Sequence, residues 1–432
     1  MPETGVETKE PACRRRRARR FPLPTDNAGQ AFPRHWKVPH VFAHGSEHYP
    51  HIGPDDASSQ DSQDRYHRRM RTVLNVAGAL VVAGAACGQD GVPPAPEAPA
   101  QQSAPSAAEN DPFAPSTVEI LREEAAKVLK TVACAGTRRL LIATNWLPVL
   151  DPRRLFFNRA EGRAIGPAAW ESLPETERAG YKELNLDERY YYFTRYGSPL
   201  AYARVLDLAC EKFGCDVACF EKKRVLDFGY GGIGHLRLLA SIGAKVVGVE
   251  VDPVLKELYS RPGDTGEIKG VGMGNQVAPD GSLTLLHGRW PADEDVRAAA
   301  GAEYDLIISK NTLKRGYIHP AKDVDKRMLI DLGVDDAGFV GAVAASLKPG
   351  GLFVIYNICP KQSEENYIPW ADGQCPFDRS LFDAAGLDVL EFDRDDSVAV
   401  RTLGRALGWD RGENPMDLEN DTFAWVTIVR KK

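Results

Sequence analysis

Residues 224–250 constrain the fold more than any other stretch. Arg224-Val-Leu-Asp227 is a short apolar run closed by an acid, and it leads straight into Phe228-Gly-Tyr-Gly-Gly-Ile-Gly234. Residues 234–242 carry helical spacing, and Lys245–Val249 is a second apolar run closed by Glu250. A strand that breaks at glycines and restarts as a helix opens a βαβ unit, whose second strand lies parallel to the first. Five further apolar runs follow at Leu283–Leu286, Tyr304–Ser309, Leu352–Asn357, Leu387–Phe392 and Phe423–Val429. A helix over about 336–347 ends at Leu347-Lys-Pro-Gly-Gly351. Alternating strands and helices require a sheet covered on both faces. The expected fold class is therefore α/β: a seven-stranded, doubly wound, Rossmann-like sheet, mainly parallel with an antiparallel terminal strand.

The residues before this pattern differ in kind. Residues 1–69 hold six of the nine histidines, the run Arg14–Arg17 and no sustained apolar period. Such a segment cannot bury a core and reads as a disordered tail, or as a stretch upstream of a true start at Met70. Residues 70–87 combine Met70-Arg71, fifteen mostly apolar residues and Gly84-Ala-Ala-Cys87. That is the plan of a secretory signal peptide, too short to span a membrane. Its end resembles a bacterial lipoprotein signal, which implies an acyl anchor on Cys87. Residues 88–116, with seven prolines and seven alanines, read as a semi-extended linker. Ser116-Thr-Val-Glu119 is a capping box that opens a helix with Val118, Leu121, Ala125 and Val128 on one face. Residues 117–197 are expected to form an N-terminal helical cap. Residues 198–432 form the main domain, beginning with a helix capped at Ser198-Pro199 and stopped at Gly214.

Gly229, Gly231 and Gly234 match the dinucleotide spacing G-x-G-x-x-G, and Glu250 ends the next strand, where a carboxylate can accept from ribose hydroxyls. Charge then discriminates between nucleosides. Asp227, two residues before the first glycine, would repel a pyrophosphate by several kcal/mol at about 4 Å and an intermediate dielectric. It would attract a sulfonium and an amino group.

The segments VLDFGYGGIG, VVGVEVDP, YDLIISKN and SLKPGGLFVIY, in that order, resemble the class I S-adenosylmethionine-dependent methyltransferases over residues 198–430. The resemblance implies S-adenosylmethionine as cofactor. It implies Gly229, Tyr230 and Gly231 against its amino acid part, Asp227 near its amino group and Glu250 on its ribose. Trp290 falls where that family contacts adenine, and Ser309 and Lys310 fall where its site opens towards substrate. Ile233 stands at the family's usual third glycine, with Gly232 and Gly234 on either side.

Methyl transfer is an in-line displacement that needs alignment and, for some acceptors, a base. His319, with Tyr317 beside it, follows the fourth strand and is the candidate base; His235 is a weaker one. Tyr190–Tyr192, Phe193 and Tyr196 could lid an apolar acceptor or simply pack the cap. A net charge of −6 and the lack of a basic groove argue against a nucleic-acid partner. A small-molecule acceptor, or a protein side chain, remains. Cys210, Cys215 and Cys219 have no nearby histidine and no C-x-x-C spacing, so no metal site is expected.

One tension follows. S-adenosylmethionine is made in the cytoplasm, whereas a chain acylated at Cys87 is membrane-anchored and faces the periplasm. The alternatives are a cytoplasmic enzyme without the anchor, a non-catalytic membrane-anchored nucleoside-binding module, and an NAD-dependent oxidoreductase.

Overall fold

The computed structural model describes residues 115–195, 197–273, 276–363, 367–412 and 415–432. The expectations for residues 1–69, for the signal-like segment 70–87 with Cys87, and for the linker up to residue 114 lie outside the described residues, as does Tyr196. No described helix is long and apolar enough to cross a membrane.

The main sheet has eight strands: β1 (Arg224–Phe228), β2 (Lys245–Glu250), β3 (Gly266–Ile268), β4 (Gly281–His287), β5 (Tyr304–Lys310), β6 (Leu347–Cys359), β7 (Leu387–Asp395) and β8 (Phe423–Lys431). Their spatial order is β7-β8-β6-β5-β1-β2-β4-β3. The centre is parallel, with β5 on one side of β1 and β2 on the other. The order therefore reverses at the β1–β5 boundary, the place where open α/β sheets hold ligands in a crevice at the carboxyl ends of the strands. The sheet is thus the expected mainly parallel, Rossmann-like one, with two differences. The antiparallel final strand, β8, lies between β6 and β7 rather than at the edge. The eighth strand, β3, pairs antiparallel with β4. It is three residues long and largely exposed, so it carries no apolar period to read.

Successive strand residues alternate between the faces. Val225, Ile308, Val354 and Ile428 pack with α1 (Thr117–Val128), α2 (Ala135–Ile142), α3 (Ala203–Phe213) and α4 (Gly234–Ser241). Leu226, Ile307, Phe353 and Val429 pack on the opposite face with α5 (Asp336–Ser346). α1 begins with the reciprocal capping box at Ser116 and Glu119 and buries Val118, Leu121, Ala125 and Val128. Residues 199–202 form a single 3-10 turn before α3, which Gly214 ends at φ 62°.

Residues 117–197 are not purely helical, which corrects the expected helical cap. They contain a three-stranded antiparallel sheet in which Arg153–Asn158 lies between Arg163–Ile165 and Lys182–Leu186. Its strands mix charged and aromatic residues, and Phe156 stacks on Trp170 at 4.2 Å, so no clean alternation marks them. A buried ion pair ties this sheet to the main domain. Both guanidinium nitrogens of Arg153 reach Asp264 at 2.7 Å, and the Tyr191 hydroxyl donates to the same carboxylate at 2.8 Å. Removing one partner leaves the other charge buried and unpaired, which costs about 3–5 kcal/mol, whereas removing both costs less. Urea denaturation should show Arg153→Leu destabilised by that amount and Arg153→Leu/Asp264→Leu destabilised less. Equal losses would show that the pair is not the tie.

Candidate functional site

The glycine loop lies at the carboxyl end of β1, at the β1–β5 boundary, with Thr312 and Phe193 packed against it. Gly229 and Gly231 take φ values of 72° and 59°, the left-handed region that favours glycine. A Cβ on Gly229 would lie 2.5 Å from Thr312 Oγ1, so a larger residue is excluded twice over. Four of the loop's amides are taken up within the protein. Gly229 N–H donates to Val249 O (2.9 Å), Gly231 N–H to Glu250 Oε2 (3.1 Å), Gly232 N–H to Tyr230 O (2.7 Å) and Ile233 N–H to the Tyr259 hydroxyl (3.2 Å). A phosphate cradle needs such amides free. Tyr230 is buried beneath the loop, its ring packed against Gly248, where an added Cβ would come within 2.8 Å.

Two carboxylates bracket this loop. Glu250, half-buried, accepts from Gly231 N–H through Oε2 and from Val251 N–H at 2.8 Å through Oε1. Each oxygen keeps a second lone pair for a hydroxyl. Burial, with Asp252 nearby, pushes the Glu250 carboxyl above its ordinary range. Asp227 does not open onto the crevice. It is fully buried, and its Oδ2 lies 2.5 Å from His235 Nε2, on the first turn of α4. The Tyr202 ring stacks on His235 at 3.5 Å with 10° between planes. Burial holds the His235 imidazole below its ordinary value, so it is neutral near pH 7 and donates Nε2–H to Asp227. Burial and Asp227 together hold the Tyr202 phenol protonated far above its usual range. Among the described residues, Asp227 Oδ1 has no hydrogen-bond partner.

Lys310 joins the same cluster. Its residue pairs with Tyr356 on β6, and its ammonium lies 5.2 Å from the centre of the Tyr202 ring. Burial lowers it to about 8, with Lys314 opposing its charge and Asp227 favouring it. Ser309 is also buried and accepts from Leu313 N–H through its hydroxyl at 3.3 Å. The structure therefore gathers Asp227, Gly229, Tyr230, Gly231, Glu250, Ser309 and Lys310 at one edge of the sheet.

The remaining candidates are placed differently. Trp290 is 1% exposed and meets Phe228 and Phe339 edge-on, at 6.3 and 5.7 Å. It is enclosed in the core rather than presented as a stacking surface. His319 is exposed, and its Nε2 lies 2.9 Å from both oxygens of Asp336, the first residue of α5. The pair lies in a shallow groove with Ile318, Ile330, Leu332, Val334 and Leu381. One turn along α5, Phe339 packs on Phe228 at 5.2 Å, which brings the groove's wall up to the end of β1. Tyr317 is half-buried, with the Lys314 amine 5.4 Å from its ring centre.

The segment before the main domain crosses the loop. A Cβ on Gly232 would meet Phe193 O at 2.3 Å, and one on Gly231 would find Thr194 Cβ at 3.8 Å. Arg195 faces Asp252 at 3.8 Å. Of the aromatic run, Tyr191 and Tyr192 are packed inside, the latter donating to Pro148 O at 2.6 Å, and Tyr190 is exposed. Tyr202, Thr312 and Asp336 carry no motif in the sequence. His235, the weaker candidate base, does carry a signal, since its place on the first turn of α4 lets it reach Asp227.

No family model matches the sequence, and no curated protein matches it. Solved structures resemble it at a distance. A candidate sarcosine dimethylglycine methyltransferase from Galdieria sulphuraria shares 14% identity over 53% of this chain and 86% of its own, with a TM-score of 0.32. A phosphoethanolamine N-methyltransferase from Haemonchus contortus shares 14% over 54% of each chain, with a TM-score of 0.29. The cyclase SpnF shares 14% over 53% of this chain and 80% of its own, with a TM-score of 0.31. Likeness this distant says nothing about the reaction of this chain.

The depressed His235 pKa has a pH signature. The unfolded chain takes up the proton near the ordinary value of 6.5, and the folded chain only below it. Stability from the neutral ring is present above that value and is lost as pH falls through the folded pKa. Between about pH 7 and about pH 5, chemical denaturation should show stability falling more steeply in the parent than in His235→Gln. Parallel curves would exclude His235 as the titrating group.

Proposed function

We propose that the chain is an S-adenosylmethionine-dependent methyltransferase acting on a small-molecule acceptor, with a protein side chain as the alternative. The observation that carries this reading is the Glu250 carboxylate on the Gly231 amide, with Asp227 buried at the end of β1 just before the loop. An anionic loop with its amides taken up favours a cationic nucleoside and disfavours the pyrophosphate of NAD. That argues against the oxidoreductase alternative. The residues present fit the methyl donor: a glycine floor for close approach, a carboxylate with free lone pairs for ribose hydroxyls, and a buried negative charge below.

When bound, the donor supplies a methyl group on a positive sulfur. Glu250 would hold the ribose. Gly231, where an added Cβ finds only Thr194 Cβ at 3.8 Å, would let the amino acid part lie close to the main chain, whereas Thr312 fills that space at Gly229. Asp227 would act through its field and by bonding His235 rather than by direct contact. Trp290 would stiffen the wall behind Phe228. Lys310, Ser309 and Tyr230 would shape the floor. The acceptor would lie along the apolar groove beside His319. Asp336 would accept a hydrogen bond from Nε2–H of that imidazole, leaving Nδ1 to take the proton that the acceptor's oxygen, nitrogen or sulfur gives up on methylation. Tyr317 would line the same approach.

A second reading has its own observation. Phe193 covers Gly232 and Thr312 covers Gly229, a closed arrangement that a non-catalytic binding module would also adopt. An acyl group on Cys87, seen by mass measurement of the protein from cells, would favour that reading.

Two variants test the proposal. Glu250→Ala should weaken S-adenosylhomocysteine binding at least about tenfold, since it removes a charge-assisted contact worth about 1.5–3 kcal/mol. His319→Asn should leave that binding intact and lower kcat for methyl transfer by about 10²–10⁴. An unchanged kcat would remove His319 as the base. No binding of S-adenosylhomocysteine by the full chain would remove the proposal.

A further inference from the structure

Four cysteines converge at the far end of α3 from Tyr202. Cys210 lies in the last turn of α3, and Cys215 and Cys219 lie in the loop that follows Gly214. The sulfurs of these three lie within 4.8 Å of one another. Cys134, at the N-cap of α2, leans its thiol on Cys210 and bonds Asp207 O at 3.5 Å. Gly136 allows this approach, because a Cβ there would come within 2.7 Å of Cys219 Cβ and 3.0 Å of Cys210 Sγ. We propose that Cys134, Cys210, Cys215 and Cys219 form a thiolate site for a thiophilic divalent cation of the zinc class.

Geometry supports it first. Thiolates at about 2.3 Å from a tetrahedral zinc stand roughly 3.8 Å apart. The Cys210, Cys215 and Cys219 sulfurs lie within 4.8 Å of one another. Once the Cys215–Cys219 bond is reduced, those two move apart and Cys134 turns in from Asp207 O to complete the set. The surroundings agree. Thr137 donates to Cys210 Sγ through its hydroxyl at 3.8 Å, with its backbone N–H directed at the same sulfur, as donors do around a metal-bound thiolate. Asp207 adds negative charge close by, accepting from Cys134 N–H at 2.8 Å. The C-x4-C-x3-C spacing hid the site because Gly214 reverses the chain between the first two sulfurs, and the fourth ligand lies 76 positions away from the first.

Cys215 and Cys219 are joined as a disulfide in the structure. Disulfide and metal are therefore alternative states of one cluster. A dithiol reductant breaks the S–S bond by delivering two electrons and two protons, and is itself oxidised to a disulfide. The entering cation then displaces the thiol protons to solvent. A reducing compartment favours the metal and an oxidising one the disulfide. The disulfide closes the loop after α3 on itself, whereas the metal would also tie the N-cap of α2 to the end of α3.

Cobalt(II) reads the site directly. The full chain, reduced and kept from oxygen, is titrated with Co²⁺ and then Zn²⁺. One equivalent should give the thiolate-to-cobalt charge-transfer and tetrahedral ligand-field bands, and Zn²⁺ should bleach them. Cys210→Ser should weaken binding at least about 100-fold, whereas Cys359→Ser/Cys375→Ser should leave it unchanged. Because a ligand variant can misfold, the oxidised parent is a second arm: once peptide mapping shows Cys215 joined to Cys219, the bands should be gone. No thiolate–cobalt band in the reduced parent, or bands that persist with the disulfide intact, would overturn the site.

Discussion

The hydrogen bond from the Gly231 amide to the Glu250 carboxylate, 3.1 Å long, fixes the shape and charge of the glycine loop. With Gly229 N–H on Val249 O, it fastens the loop to β2, the strand that ends in the acid. A charge-assisted bond of this kind contributes about 1.5–3 kcal/mol and fixes the loop's shape. Its chemical effect is larger than its stability. It puts a negative charge where a dinucleotide-binding loop presents bare amides to phosphate. An acid after the next strand holds ribose in dinucleotide sites as well, so on the proposed reading the choice between ligands rests on the loop's occupied amides and on the charge of Asp227 behind it.

Support for the loop comes from below and above. Below, Asp227, His235, Tyr202 and Lys310 form a buried polar cluster on the α3 and α4 face of the sheet. The neutral His235 satisfies one oxygen of Asp227 without cancelling its charge. Above, Tyr192 O lies against Gly234 and Phe193 O against Gly232. Those two residues follow Tyr191, which shares Asp264 with Arg153. The small antiparallel sheet is therefore not a separate ornament. Its buried ion pair holds in place the segment that lies over the loop.

The strands and glycines of this site were legible because they obey local rules. A buried parallel strand is a continuous apolar run, and a chain that turns with positive φ needs glycine. The inward face of α1 was legible for the same reason, through its 3.6-residue period. What escaped has no local signature. β3 is a three-residue edge strand with little to bury. The sheet around Arg153–Asn158 is held by a pair whose members are 111 positions apart. The meeting of Cys134 with Cys210, and of His319 with Asp336, depends on how helices pack and not on spacing along the chain. Asp227 is legible as an acid next to the loop, but its burial behind His235, away from any cofactor's amino group, comes only from the packing of α4 and Tyr202.

The central claim is that the loop selects a positively charged nucleoside over a dinucleotide. Calorimetric titration of the full chain with S-adenosylmethionine and with NAD, in one buffer and at one ionic strength, tests it most directly. Saturable binding of S-adenosylmethionine with NAD at least two orders of magnitude weaker is the expected result. Equal or tighter binding of NAD would contradict the account.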